Sequence, residues 1–360
     1  MRHVVYSAWR VFYSCFLQGA WSCLNQNMDF ERHATLLFCA KSVNVRGLGA
    51  EKRSGYMRCR SIEDVVGEVM RLINEEKSVY PEAGAEFFFR GESKNHKSEC
   101  DGDALSSEFQ SCLDREGLVD CERQLFEEAM RLNVASFEHD KTMVDCITRM
   151  QHYQLPTRFA DVSTNALLST HFACNANSNR DGFIRVMKVA EHKMKSFTSD
   201  VIIAIAHLPL VDAKYITPSK ENGLGKLTYE IKNNRPGFIS EEDWPGIGAD
   251  LRHEIQQVWA FKPMMNSRRI RKQGGLFLAF GCGDNKKSLC PTFSPNDYDN
   301  PNAPSYGIKQ IGYVRIAADA KKDIREELRF FGMEGELVYP ELSNVCDELR
   351  IRFKTINKEK

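Results

Sequence analysis

Arg90 follows three phenylalanines, Phe87, Phe88 and Phe89, and precedes Gly91. Three consecutive aromatics suit a short strand covered on both faces, expected over 86–90 with Gly91 as its end. A guanidinium at such a strand end can fork onto a phosphate or a carboxylate. Gly91 lets a ligand or another backbone come close. The same pattern also fits an arginine that pairs with a buried structural carboxylate.

The segment from His152 to Asp161 is dense in polar groups yet lies between two apolar helical stretches. Pro156 forces the chain out of helix, and Leu155 before it is pushed toward extended backbone. Arg158 and Asp161 are near enough in sequence to pair. Thr164 is the expected cap of a helix over 165–174, whose free N–H groups would favour an anion beside Arg158. Farther on, Arg268-Arg269-Ile270-Arg271-Lys272 leads into Gln273-Gly274-Gly275. Such charge runs are usually solvated faces, but a tight glycine backbone could hold Gln273 at a ligand. Glu254 is a candidate catalytic carboxylate, although most lone glutamates are structural or on the surface.

The elements that must position these residues follow from periodicity. Ser61 to Asp64 has the form of a capping box, and Ile62, Val65, Val66, Val69 and Ile73 keep helical spacing. A helix is expected over 118–132, and another from an Asp140 cap through Met150. Residues 95–117 and 282–306 read as loops. Strands are expected over 183–189, 201–206, 258–261, 276–280 and 313–316. A helix over 320–330, closed by Gly332, and a last helix over 342–354 complete the pattern. Helices and strands mix without strict alternation, so the fold class is α+β, a mixed sheet flanked by helices. Residues 1–57 show no sustained period and read as a poorly structured extension, with 58–355 as the ordered domain. Met57 would be a sensible alternative start.

Composition narrows the function. Lys plus Arg equals Asp plus Glu at 49 each, so bulk electrostatic binding of nucleic acid lacks a driving charge. A local basic patch for a protein or nucleic-acid target stays open. The 12 cysteines form no C-x-x-C pair, which argues against a metal ribbon and points to free thiols in a cytoplasmic setting. Arg10 interrupts the apolar stretch 4–24, so no stable membrane association is expected. Phosphate-loop, zincin, hydrolase-elbow and calcium-loop motifs are absent.

Phe89-Arg90-Gly91-Glu92 resembles the Phe-Arg-Gly signature of FRG domains. His152-Tyr153-x-Leu155-Pro156-Thr157-Arg158-x-x-Asp161 resembles their H-[YF]-G-L-P-T-R-L-L-D-W block, with Gln154 in place of Gly. Asn165-Ala166-Leu167 with His171-Phe172-Ala173, the Arg269–Phe277 block and Val338–Leu342 resemble later segments, over roughly 60–355. The resemblance implies a bacterial or phage protein, some relatives being in defence or toxin settings. Its layout is similar to that of ADP-ribosyltransferases, with NAD as substrate rather than a bound cofactor. By that analogy Arg90 and Arg158 hold phosphates, Arg90 facing the His152–Asp161 block. Gly91, Thr157, Asp161 and Thr164 complete the ligand site. His152 orients ribose, and Glu254 or Gln273 assists transfer. The rival expectation is a non-catalytic sensor of a nucleotide or partner.

Overall fold

The computed structural model describes residues 57–96, 109–211, 227–229, 231, 249–264, 275–282 and 297–333. The expected extension before Met57, the 268–273 block with Gln273 and the last helix over 342–354 lie outside the described residues.

Eight strands form one mixed sheet: β1 Arg58–Cys59, β2 Glu86–Glu92, β3 Phe159–Ser163, β4 Gly182–Val189, β5 Met194–Ser196, β6 Val258–Lys262, β7 Gly275–Phe280 and β8 Ile308–Ile316. Their order is β1-β8-β4-β2-β3-β7-β6-β5. Only the outermost pairs, β1 with β8 and β5 with β6, run parallel. The helices are α1 Ile62–Val79, α2 Cys112–Arg115, α3 Glu122–Leu132, α4 Met143–His152, α5 Ala166–Cys174, α6 Asp200–His207, α7 Ala249–Glu254 and α8 Lys321–Phe330. The α+β expectation holds.

Strand alternation sorts the core. Phe88, Ala160, Val162, Met187, Leu276 and Leu278 share one face, where Phe109, Leu113 and Val119 cover them. Phe89, Ile184, Val186 and Val314 point the other way, against residues of α1, α5 and α8. Phe159, Phe261 and Phe277 extend that second face under α4 and α6. The phenylalanine run is therefore split by its pleat. Phe88 faces one layer and Phe89 the other, as a strand covered on both sides requires. Burying each stabilises the fold by on the order of 2–3 kcal/mol.

Gly91 does not end β2, which continues through Glu92. Its glycine instead admits α5. A Cβ there would meet the Ser169 carbonyl oxygen at 1.9 Å and Phe172 Cβ at 2.9 Å. The close approach is made by a helix backbone. It locks α5 flat across β2.

Several local expectations change. The α1 capping box on Ser61 forms as expected. The cap of α4 is Thr142, which makes its own box with Asp145. Asp140 instead grips Arg149 through two bonds of 2.6 and 2.7 Å. The cap of α5 is Asn165, whose side chain accepts from Leu167 and Leu168 N–H, while Thr164 is exposed. The run 201–206, expected as a strand, is helical in α6. Its residues are buried nearly all round, and an apolar run of this length satisfies either structure until packing decides.

Gln154 has φ 67°, in the left-handed region. It follows α4 as the αL residue of a Schellman ending: Leu155 N–H bonds Met150 O, and Gln154 N–H bonds Gln151 O, each at 3.0 Å. Gly332 closes α8 in the same way, at φ 72°. The glycine at this place in the block that 152–161 resembles thus has a backbone reason, and Gln154 carries the strain here. Gln154→Gly should raise the thermal midpoint by about 1–3 °C. Gln154→Val should cost about 1–2 kcal/mol in chemical denaturation; equal stability of the valine variant would mean the turn carries no strain.

Candidate functional site

The β2–β3 seam is the thinnest in the sheet. One residue pair, Phe89 with Ser163, is in register, against seven between β2 and β4. Arg90 crosses this seam: its Nη1 donates to the Asp161 carbonyl oxygen at 2.7 Å. The side chain then lies on the Phe88 face, over the Phe109 ring at 5.5 Å, with Nη2 3.7 Å from Cys112 Sγ. Arg185 is its direct partner across β2–β4. It too lies over Phe109, at 5.4 Å, and donates to Glu92 at 3.2 Å and Gln310 at 2.6 Å.

Glu92 sits two residues beyond Arg90, hence on the same face. Its carboxylate lies between the two arginines, 3.6 Å from Arg90 Nε. Burial pushes the Glu92 carboxyl up, but Arg185 and Arg90, helped by His96 and Arg115, pull it below its ordinary value. Arg115, at the end of α2, adds a third guanidinium. Its Nη2 reaches Cys112 Sγ at 3.6 Å, and a half-exposed Glu116 lies 3.9 Å away. A narrow pocket opens among Glu92, His96, Phe109, Gln110, Arg115 and Arg185. Burial, and then Arg115, lower the His96 imidazole to about 4, against the pull of Glu92. It is therefore neutral at pH 7. The arrangement concentrates positive charge around one small opening in a chain of zero formal charge. Such a site favours an anion.

Three candidates from the His152–Asp161 block, His152, Thr157 and Asp161, lie on the opposite face. Alternation puts the Asp161 side chain with Phe89 and Phe159, away from Arg90. There Gln151 Nε2 donates to Asp161 at 2.9 Å, and His152 Nε2 is 4.0 Å from the same carboxylate. Thr157 donates to Gln151 at 2.8 Å and is buried. Arg90 thus meets the block through a main-chain carbonyl, not through His152 or the Asp161 carboxylate. Thr164 is not a cap, and the Asn165 side chain already fills the α5 N-terminus.

Arg158 is fully engaged. It is 2 % exposed, grips Glu122 through bonds of 2.6–2.8 Å and donates to Gly281 O at 2.8 Å. The sequence suggested Asp161 as its partner; the fold supplies Glu122 from α3. Glu254 lies beside β6, where it pairs with Lys195 at 3.3 Å. That is three strand spacings from β2, on the order of 14 Å. Periodicity could have singled out Glu92, two residues from Arg90. Arg115 and Arg185 gave no local signal, because only register and loop packing bring them in.

A family model for the FRG domain matches residues 85–182. No curated protein and no solved structure matches the chain. The matched segment includes Arg90, Glu92, Cys112, Arg115, Glu122, Arg158 and Asp161, whereas Arg185 falls just beyond it.

Two measurements test the electrostatics. Arg158→Ala should destabilise by about 3–5 kcal/mol, since it strands a buried Glu122, while Arg158→Met with Glu122→Leu should recover most of that loss. Equal denaturation midpoints for wild type and Arg158→Ala would contradict the pair's structural role. The second measurement is thermal stability against pH. Burial also lowers His171 and His207 to about 4 from 6.5. Between those values the unfolded chain binds protons that the folded imidazoles refuse. Stability should therefore be lost as pH falls from about 6.5 toward 4, and a midpoint flat across that window would refute it. Below it, protonation of Glu92 and Asp181, whose folded values are depressed, adds a further loss.

Proposed function

The chain contains an FRG domain, and from that premise we propose that it binds a phosphate-bearing small molecule, of the nucleotide class, at the mouth of the arginine pocket beside β2. The observation that carries this reading is the gathering of Arg115 and Arg185 around one opening lined by Glu92, with Arg90 buried behind that carboxylate. Guanidinium groups match the geometry of phosphate oxygens, and partial burial strengthens the attraction. NAD and ADP-ribose belong to the class. Arg115 is the arginine best placed to receive the anion, since its side chain keeps 23 % of its surface in solvent.

Binding rather than transfer is the better-supported form. A glycosyl transfer would need a carboxylate or amide free to stabilise a developing cation at the phosphate site. Among the described residues, Glu254 is three strands away, and the charge of Glu92 is already opposed by Arg185 and Arg90. The reading is thus of a sensor whose ligand bridges β2 and the α2 segment. An effector role in bacterial defence would be its setting.

Titration calorimetry with ADP and ADP-ribose tests this. Wild type should bind saturably, and Arg115→Ala should weaken binding about tenfold or more, with little change in the thermal midpoint. Absence of saturable binding by wild type would overturn the proposal. Incubation with NAD reads the alternative: nicotinamide release would replace the sensor with a transferase.

A further inference from the structure

The pocket holds an acceptor that a bare phosphate cannot use. Glu92 is 6 % exposed, and its Oε2 accepts from Arg185 Nε. Its Oε1 lies 3.6 Å from Arg90 Nε, too far for a hydrogen bond. Among the described residues no hydrogen bond reaches Oε1, and Arg90 Nε is itself a buried donor without a hydrogen bond. Glu92 lines the pocket, so a ligand hydroxyl entering there can donate to its carboxylate and gain a charge-assisted hydrogen bond.

A carboxylate held ionised repels a phosphate oxygen at contact distance but accepts a hydroxyl proton. The room beside Glu92 suits that difference, since the pocket admits little more than a water-sized group. Arg115, more exposed than Glu92 or Arg185, can take a phosphate nearer to solvent. The lining therefore offers a carboxylate acceptor within and a cation toward the mouth. His96, neutral at pH 7, adds a ring nitrogen that can donate or accept.

We infer that the pocket selects a phosphorylated polyhydroxyl compound, a sugar phosphate, with a hydroxyl donated to Glu92 Oε1 and the phosphate on Arg115. Glu92 is then the specificity-determining residue. The inference rests on the anion-binding reading above and names the class of anion.

The experiment titrates the full chain with inorganic phosphate, ribose 5-phosphate and tetrahydrofurfuryl phosphate, which keeps the ring and phosphate but lacks the hydroxyls. Ribose 5-phosphate should bind on the order of tenfold tighter than the hydroxyl-free analogue, the scale of a hydrogen bond to a charged group. Glu92→Gln, which keeps an oxygen toward Arg185, should shrink that preference to about threefold or less. Equal affinities of the two ring phosphates for wild type would overturn the inference and leave the anion site standing. An undiminished preference in Glu92→Gln would remove Glu92 as its source. Failure of wild type to bind any of the three phosphates would instead sink the anion-binding reading. Should the variant not fold, the two ring phosphates on wild type still decide the outcome.

Discussion

Arg90 holds the sheet together where its backbone pairing is weakest. The strands β1, β8, β4 and β2 form one half, and β3, β7, β6 and β5 the other. Between β2 and β3 a single registered pair remains, and the Arg90 guanidinium supplies a further bond to the Asp161 carbonyl. An arginine can do this because its planar fork carries several donors on one long stem. Lysine, a compact point charge, could not bond across the seam and pair with Glu92 from the same position. The core layer on the Phe88 face depends on this joint, since it alone spans the two halves; on the other face each half has its own cluster.

The three residues of the signature have separate tasks on one strand. Phe89 enters the core beneath α5, Arg90 points to the other face, and Gly91 admits the backbone of α5. The pleat makes this division possible by sending adjacent side chains to opposite faces. One consequence is electrostatic. Arg90 meets Arg185 directly across the ladder, and two facing guanidiniums on a buried surface would be costly alone. Glu92 lies between them and offsets the repulsion, and Phe109 offers its ring face to both cations. With Arg115 added, positive charge still exceeds what Glu92 neutralises. An anion pocket thus arises beside a structural joint.

Much of the local structure was legible in the residues. The Ser61–Asp64 box, the phenylalanine strand, the helix stop at Gly332 and the mixed class all follow from propensity and period. Other features were not. Val201–Ala206 satisfies strand and helix alike, and burial on every side decided for helix. Thr164 and Asn165 are both able caps, and the choice fell to the residue whose side chain reached the Leu167 and Leu168 N–H groups. Arg158 found Glu122, 36 positions earlier, rather than Asp161 three positions later. Extended backbone sends positions 158 and 161, an odd number of residues apart, to opposite faces, so they cannot pair once this stretch is a strand.

Phe87-Phe88-Phe89-Arg90 determined by itself that a buried strand would send Phe88 and Arg90 to one face and Phe89 to the other, because strand periodicity is a property of the backbone; that the strand runs on through Gly91 to Glu92 was decided by its pairing with β4. Pro156 likewise determined that the chain leaves the helix before it, whereas the left-handed ending at Gln154 was seen only in the structure. What the arginine and glutamate meet was decided only by tertiary structure. Arg185 arrives by the register of β4, Arg115 and Phe109 by the packing of a distant segment, and Asp161 contributes a carbonyl instead of its carboxylate. Electrostatic interaction depends on distance through space, and the distances among these charges are set by strand pairing, to which the order of residues along the chain gives no direct measure.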